Sequence, residues 1–252
     1  MISYEFPLNE KVRTLMRLED LFARMKHYTE RESSLDHHTA LITLFEILEV
    51  ACRADLKSEL LQELERQKRA LSSLHNNPAI FEEALEAILA EIDLASANLF
   101  AMTGKIGQRL RENEWLMGIK QRAVMPGGTC EFDLPSYHHW LQQDANLRRE
   151  GLRTWLDPFL PLHAGLQIIL RLLRDNGKVL HFTAHQGAFQ QMQGGRVAQI
   201  LRVRLSRELA CIPEVSANKY AINIRFIVAN YAAKSALFEQ DVPFELTFCS
   251  LA

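Results

Sequence analysis

The spacing of apolar residues along this chain of 252 residues first changes close to the glycine pair at positions 127 and 128. Before that pair, apolar residues recur at spacings of three and four, which is typical of amphipathic helices. Toward the C-terminus they alternate with polar residues, which is typical of half-buried strands. The change predicts an α+β protein, in which an N-terminal antiparallel helical bundle is joined to a C-terminal antiparallel β-sheet domain with additional helices. The expected domains are 1–125, mainly helical; 126–178, a joint strand and connecting helices; and 179–252, β-rich.

Five helices are expected in the first range, because the helical spacing recurs between recognisable start residues. Short connections between these helices favour antiparallel neighbours. The last of the five is expected to end near residue 122. The predicted starts are Asn9, Asp36, Asp55, Pro78 and Ile106.

One short strand is predicted before the β-rich range, at residues 130–134, where three apolar residues alternate with two acids. Ser136 is expected to cap the helix that follows, and further helices are expected as far as Gly177. Alternation then predicts strands within 196–206, 221–228 and 242–250. The turn residues between them favour an antiparallel sheet.

The composition excludes several classes of protein. A hydrophobic share of 48% and a net charge of −2 are typical of a globular chain and not of a disordered polycation. The four cysteines stand far apart without a CxxC pair, so neither a disulfide framework nor a structural zinc site is expected. No run of 18 apolar residues occurs, and the first residues lack signal-peptide features. The sequence therefore predicts a cytoplasmic protein without membrane insertion.

The stretch MPGGTCEFDLPSYHHWL, residues 125–141, is crowded with reactive residue types. Asp133, Ser136 and His138 within it suggest a nucleophilic triad, but contiguous residues rarely converge as triad members do. Glycine-rich phosphate motifs and metal-binding histidine spacings are absent from the sequence. The sequence predicts a protein that is not an enzyme and has no cofactor and no metal; an unrecognised hydrolase is the weaker alternative.

Basic residues are concentrated among the predicted strands. Guanidinium groups on one face of a sheet repel each other unless carboxylates or phosphates meet them, so the pattern indicates a receptor surface for an anionic partner. A nucleic acid is the alternative partner, although no aromatic residues alternate with these cations; we predict no nucleic-acid binding. Between positions 196 and 225 two acidic residues accompany six basic ones: Arg196, Arg202, Arg204, Arg207, Lys219 and Arg225.

Five segments, spread over nearly the whole chain, resemble one known family. They are FPLNEKVRTLMRLE, LKSELLQELERQKRAL, IGQRLRENEWL, PGGTCEFDLPSYHHWL and IRF. The most specific patterns are PLNEK-x-RT and PGG-x-C-x-FDLP-x-x-H-x-WL. By these motifs the sequence resembles the ZapD family.

The resemblance implies a function. ZapD proteins are cytoplasmic division factors of Gram-negative bacteria; they work as homodimers at midcell and are not enzymes. They bind the short C-terminal tail of FtsZ, the tubulin-like GTPase of the division ring, and promote lateral association of its filaments. A twofold dimer carries two equivalent tail sites, so one particle can join two filaments.

The resemblance also implies which residues contact the tail, because six positions fit the family pattern. They are Arg17 of the first-helix signature, Arg53 after the second helix, Arg122 at the end of the fifth, His138 of FDLP-x-x-H, Lys219 of the basic loop and Arg225 of IRF.

Two positions depart from that pattern. Members of the family carry further basic residues at the position of Ala221 and near Glu114, and both are lost here. The pocket is therefore expected to be less basic. Arg202 and Arg204 are expected to compensate as additional tail contacts.

Overall fold

The computed structural model describes residues 1–52, 55–75, 77–78, 80–192, 198–218, 220–230, 232 and 236–251. Its helices are α1 (Glu10–Thr29), α2 (Ser34–Ala51), α3 (Leu56–Ser72), α4 (Glu82–Ala101), α5 (Gln108–Arg111), α6 (Glu114–Ala123), α7 (Pro135–Leu141), α8 (Ala145–Leu156) and α9 (Leu160–Asp175), with a 3-10 turn at Asp157–Phe159. Its strands are β1 (Ile2–Pro7), β2 (Lys178–Ala184), β3 (Ala188–Met192), β4 (Ile200–Leu205), β5 (Cys211–Ala217), β6 (Ala221–Val228) and β7 (Val242–Cys249). The predicted α+β class is confirmed.

The chain forms two compact units. The β unit consists of Met1–Arg13 and Leu170–Ala252, and the helical unit consists of Thr14–Ile169. This grouping differs from the predicted ranges 1–125, 126–178 and 179–252, because the first residues of the chain belong with the strands.

In the helical unit, the apolar faces that the spacing predicted are buried. Leu15, Leu18 and Met25 of α1 are at most 1% exposed, and Leu44 and Ile47 of α2 are fully buried. Helix α2 contacts α6, α7 and α8 and buries residues on more than one side. A helix that buries more than one stripe lies inside its unit. The sequence spacing therefore found the core of this unit correctly.

A buried arginine joins two turns of the helical unit. Arg148 is 6% exposed, and its Nε donates to Nδ1 of His37 at 2.8 Å. Its two terminal nitrogens donate to the backbone oxygens of Glu32 at 2.5 Å, Leu141 at 2.5 Å and Gln143 at 2.8 Å. Burial lowers the pKa of His37, so its ring stays neutral and can accept this bond. The network holds the α1–α2 turn against the α7–α8 turn.

Two antiparallel sheets form the β unit, with strand orders β1-β4-β7-β2 and β3-β6-β5. Both sheets contribute side chains to one apolar core, which includes Leu201 and Val203 of β4 and Ile224 and Phe226 of β6. The rings of Phe226 and Phe244 lie 5.1 Å apart between centroids. Because side chains alternate along a strand, the polar residues of each sheet lie on its outer face.

The alternation that predicted strands within 196–206, 221–228 and 242–250 corresponds to β4, β6 and β7. Strand β1 was not predicted, although Tyr4 and Phe6 alternate with Glu5 there. It pairs with β4 along its whole length, with Phe6 opposite Leu201. Its alternation covers only six residues and stops where Asn9 begins the first helix, as predicted, by accepting a bond from the backbone N–H of Val12 at 2.8 Å.

The predicted strand at 130–134 is wrong, because the backbone there forms consecutive turns. The N–H of Cys130 donates to the oxygen of Gly127 at 3.2 Å, and that of Asp133 donates to the oxygen of Cys130 at 3.1 Å. Gly127 has a φ of +71°, which glycine adopts without strain. Phe132 is 80% exposed, so the alternating residues share no buried face. Local bonds, and not a neighbouring strand, satisfy this backbone.

One predicted helix cap is wrong. Helix α2 begins at Ser34, two residues before Asp36, because the Ser33 hydroxyl caps it by accepting a bond from the Leu35 N–H at 3.2 Å. The predicted start at Asp55 agrees with the structure, because Asp55 is the N-cap residue of α3, although its side chain accepts no capping bond and its φ is +78°. Short polar side chains are interchangeable as caps in sequence, so the structure decides which one is used.

Three further predicted starts are corrected. Helix α4 begins at Glu82 and not at Pro78, because the backbone turns first. The predicted helix at 106–122 is two helices, since the Asn113 side chain caps α6. Helix α7 begins with proline, and Ser136 does not cap it; its hydroxyl accepts a bond from Nε1 of Trp115 at 3.1 Å.

Within the continuous helical stretch Ala145–Asp175, one window of 18 residues is apolar enough to cross a membrane by length and composition, with a mean hydropathy of 1.2. Half of that window is buried within the protein. Core helices of soluble proteins have the same properties, so the stretch is weak evidence for a membrane span. The absence of membrane insertion stays a prediction.

Candidate partner-binding surfaces

The outer face of the four-stranded sheet carries Arg202, which lies opposite Glu5 in the register of β1 and β4. The Glu5 carboxylate accepts bonds from Nε of Arg202 at 2.9 Å and from Nε of Arg174 at 3.0 Å. The three side chains are 18% to 25% exposed. Partly buried, charge-assisted bonds of this kind are stronger than exposed ion pairs. Glu5 therefore holds both guanidinium groups on the sheet.

Arg204 shares this outer face and also has an internal partner. Its Nη1 lies 2.9 Å from Oε2 of Glu245, which is opposite in the register of β4 and β7. The structure thus brings Arg202 and Arg204 together, as the alternation predicted, but the chain itself supplies their carboxylates. This pairing weakens the case for a nucleic-acid surface on this face.

Arg225 lies on the outer face of the other sheet. It stands between Ile224 and Phe226, which are fully buried in the core that the two sheets share. Its side chain is exposed, and Glu214 stands opposite it in register. Among the described residues, no carboxylate lies within 4.0 Å of its guanidinium. Arg225 is therefore directed away from Arg202 and is available to an external anion.

Arg17 lines a groove of about 750 Å³ in the helical unit, between α1, α2 and the end of α6. The floor of this α1–α2–α6 groove is apolar, with Leu21 and Phe45 at 8% and 5% exposure. Val124 lies at the groove and is 82% exposed. An apolar floor with a few polar groups is the usual composition of a binding cleft.

Most charges in the α1–α2–α6 groove are paired. Arg24 bonds Asp20 at 2.6 Å, and Lys120 bonds Glu49 at 2.5 Å. The hydrogen bond from Lys120 lowers the pKa of Glu49. Arg17 has no ion pair within the described part of the chain. It is the cation of this groove that an incoming carboxylate can reach without breaking an existing pair.

Arg122 and His138 lie near the turns at 125–134. Nη1 of Arg122 is 3.8 Å from Asp133, and Nε2 of His138 is 3.8 Å from Glu131. These are loose, partly exposed pairs, which contribute little stability. Within the described contacts Ser136 bonds Trp115 and not His138, so the three candidate triad residues do not form a nucleophile and base pair.

The aromatic residues of the crowded stretch have a structural role. Tyr137 is fully buried, stacks on Trp140 at 5.9 Å between centroids, and its hydroxyl lies 2.7 Å from Nδ1 of His38. Burial raises the pKa of Tyr137. Trp115 and Trp155 complete the cluster, each about 6 Å from Trp140. These aromatic contacts therefore anchor α7 in the helical unit.

Two predicted contacts, Arg53 and Lys219, lie outside the described residues, so their roles stay predictions. Of the two departures from the family pattern, Ala221 is 7% exposed at the start of β6, and Glu114 lies in the first turn of α6.

Sequence comparison supplies the decisive observation. Residues 16–225 match the ZapD family, described as a cell division protein. The chain is 57% identical over 251 residues to "Cell division protein ZapD" of Azoarcus sp. (strain BH72), with 100% of both chains covered. The chain belongs to the ZapD family.

Two other ZapD proteins have a similar sequence identity to this chain. The chain is 56% identical to that of Aromatoleum aromaticum, covering 100% of this chain and 98% of the relative. It is 55% identical to that of Chromobacterium violaceum, with 99% of both chains covered. The resemblance that the sequence motifs indicated is confirmed. All three ZapD relatives are named for cell division and not for an enzymatic activity.

One cluster of possible metal ligands occurs among the described residues of this ZapD protein: His75, Glu82 and Glu86. Nδ1 of His75 lies 2.5 Å from Glu82, and Nε2 lies 3.7 Å from Glu86. The bond to Glu82 raises the pKa of His75. Each ring nitrogen faces a different carboxylate, which is the arrangement of a protonated imidazole between two acids and not of a metal ligand.

Sequence reasoning missed two kinds of residue at these surfaces. It did not find Glu5 and Glu245, the partners of the strand arginines, or Leu21 and Phe45, the groove floor. The alternation of residues 2–7 could have indicated Glu5, because it places that carboxylate on the polar side of a strand. Nothing local distinguishes Phe45 from any other core residue.

Proposed function

We propose that this protein binds the C-terminal tail of FtsZ and cross-links FtsZ filaments, and that it acts as a cytoplasmic homodimer that stabilises the Z-ring at midcell. Membership of the ZapD family over the full chain is the observation that carries this proposal. In this role the protein is a non-enzymatic adaptor without a cofactor or metal.

The arrangement of charges supports a tail-binding role for two of the predicted residues. Arg17 offers a guanidinium without an ion pair among the described residues, beside an apolar floor, which fits a short segment with an acidic and an apolar side chain. Arg225 offers another on the β unit. Arg202 and Arg204 are weaker candidates, because an incoming carboxylate must displace Glu5 or Glu245. Exposed ion pairs imply modest affinity that falls with added salt.

Cross-linking would follow from symmetry. Each protomer of a twofold dimer carries the same tail site, so one dimer can hold two filaments without further chemistry. A single site binds a flexible tail weakly, but two sites on filaments with many tails give much higher avidity.

Co-sedimentation tests the proposal. Polymerised full-length FtsZ should pellet with the protein as bundles, whereas FtsZ without its tail should leave the protein in the supernatant. Sedimentation-velocity measurements on the protein alone should show a dimer. Bundling of tailless filaments to the same extent, or a monomer that bundles, would contradict the proposed mechanism.

A further inference from the structure

A second groove of the helical unit lies between α5, α6 and α8 and has a volume of about 570 Å³. Leu110 and Leu116, at most 2% exposed, contribute apolar surface, and the half-buried indole of Trp155 lines it. Arg109 of α5 and Arg153 of α8 line it as well. This α5–α6–α8 groove shares no lining residue with the α1–α2–α6 groove.

The two arginines of the α5–α6–α8 groove are available to a ligand. Both side chains are exposed, and neither has an ion pair among the described residues. Asp157 is the one acid in the described lining of the groove. A guanidinium binds carboxylates through two parallel hydrogen bonds, and it does so more strongly next to apolar surface. The groove therefore favours a ligand that combines anionic and apolar groups.

Two neighbouring cavities continue this groove. Arg109 and Asp157 also line a cavity of about 500 Å³, and Arg153 and Thr154 also line one of about 560 Å³. These cavities adjoin the groove, because they share lining residues with it, and the three together are called the depression. Several adjoining cavities fit an extended chain better than a compact small molecule.

The charges along the depression distinguish a peptide from a nucleic acid. Acidic residues occur between the cations: Glu112 in the first cavity, and Glu30 and Glu150 in the last. A phosphate backbone, with a charge at every nucleotide, would meet these carboxylates, whereas a peptide can place uncharged residues beside them. Trp155 is the single aromatic residue in the described lining of the three cavities, and single-stranded nucleic acids need several stacking rings.

We propose that the α5–α6–α8 groove binds an extended acidic peptide segment with an apolar side chain between two carboxylates. The carboxylates bond Arg109 and Arg153, and the apolar side chain lies on Leu110, Leu116 and the Trp155 ring. This site goes beyond the proposed tail contacts of Arg17 and Arg225, and it gives the protein a surface for a second, acidic partner.

Fluorescence anisotropy on the full chain tests the site. The probe is a fluorescein-labelled, C-amidated peptide of sequence EDLFDE, titrated at low salt. Arg109→Glu and Arg153→Glu should each weaken binding about fivefold, because each replaces an attractive pair by a repulsive one. Arg207→Glu, an equal charge change at an exposed arginine of the β unit, is the matched control and should change affinity less than twofold.

Several results would overturn the proposal. They are absence of peptide binding at millimolar concentration, equal effects of all three substitutions, and tighter binding of a ten-nucleotide oligothymidine at the same groove. A parallel titration with an FtsZ tail peptide separates this site from the proposed function. Arg109→Glu should leave tail affinity unchanged, and Arg17→Glu should leave EDLFDE affinity unchanged; loss of both activities in one variant would contradict two separate sites.

Discussion

The two sheets of the β unit use the same residue type in opposite ways. Arg202 and Arg225 each alternate with core residues, and each lies on an outer face opposite a glutamate in register. Arg202 is bonded to Glu5 at 2.9 Å in a partly buried site, whereas Arg225 is exposed and makes no such bond to Glu214. The comparison shows that alternation and register do not decide whether an arginine is available. Burial and side-chain reach decide it.

The largest expected effect concerns Arg148, the most buried of the internally bonded arginines. Arg148→Ala removes the donor to three backbone oxygens and to His37, so these buried acceptors lose their partner. We expect a loss of about 3 kcal/mol in the free energy of unfolding. Urea denaturation followed by tryptophan fluorescence measures it.

Arg153→Ala is the control for that experiment, because Arg153 is an exposed arginine on the same helix. It should change the free energy of unfolding by less than about 0.5 kcal/mol. Equal effects of the two substitutions would show that the bonds of Arg148 do not stabilise the helical unit.

The next effect sharpens the comparison between the two sheets. Glu5→Gln leaves Arg202 and Arg174 without their shared anion in a partly buried site, and we expect a loss of about 2 kcal/mol. Glu214→Gln, the equivalent change opposite Arg225, should cost less than about 0.5 kcal/mol. Calorimetry of both variants checks the difference, and similar melting temperatures would remove the distinction between the two faces.

A smaller effect is expected in tail binding. Arg17→Glu and Arg225→Glu should each weaken the affinity for an FtsZ tail peptide about fivefold, because both guanidinium groups are exposed and have no ion pair with any residue that the structure describes. Arg204→Ala should change the tail affinity less than twofold, since Arg204 already forms an ion pair with Glu245. Isothermal titration at low salt measures all three, and a larger effect of Arg204→Ala would reverse the assignment of the two faces.

The smallest effect concerns the partly exposed ion pairs of His75 with Glu82 and Glu86. Its pKa is raised in the folded protein by Glu82, so the folded state holds the proton more tightly than the unfolded chain does. The stabilisation is complete below the unfolded pKa of about 6.5 and is lost as pH rises through the folded pKa. His75→Gln should therefore lower the urea midpoint slightly at pH 5.5 and leave it unchanged at pH 9. The same shift at both pH values would contradict a role for the charge.

The fold was largely predictable, and the reasons differ between elements. Long, regular apolar patterns mark helices α1 and α2 and strands β4, β6 and β7. Each pattern places its apolar residues on one face only in the predicted type of secondary structure. The strand predicted at 130–134 failed because five residues between glycine and proline can alternate without a partner strand. Strand β1 was missed for the converse reason, since a six-residue edge strand gives little pattern before a strong helix start.

The candidate site was less predictable than the fold. The motif FDLP-x-x-H indicated His138, but within the described part of the chain that side chain makes only a loose pair with Glu131. The groove beside Arg17 depends on Phe45 and Val124, which come together only when α1, α2 and α6 pack. No local pattern marks such residues, because their role arises from what the packed helices leave uncovered.

The sequence by itself determined the periodicity, and with it the fold class, the family and the strands that carry the arginines. The tertiary structure alone decided which arginines are neutralised within the chain. Arg202 and Glu5 are 197 residues apart in sequence and meet because β1 pairs with β4. The interaction between two charges depends on their distance in space and not on their separation in sequence. Whether a cation is available to a partner is therefore a property of the fold.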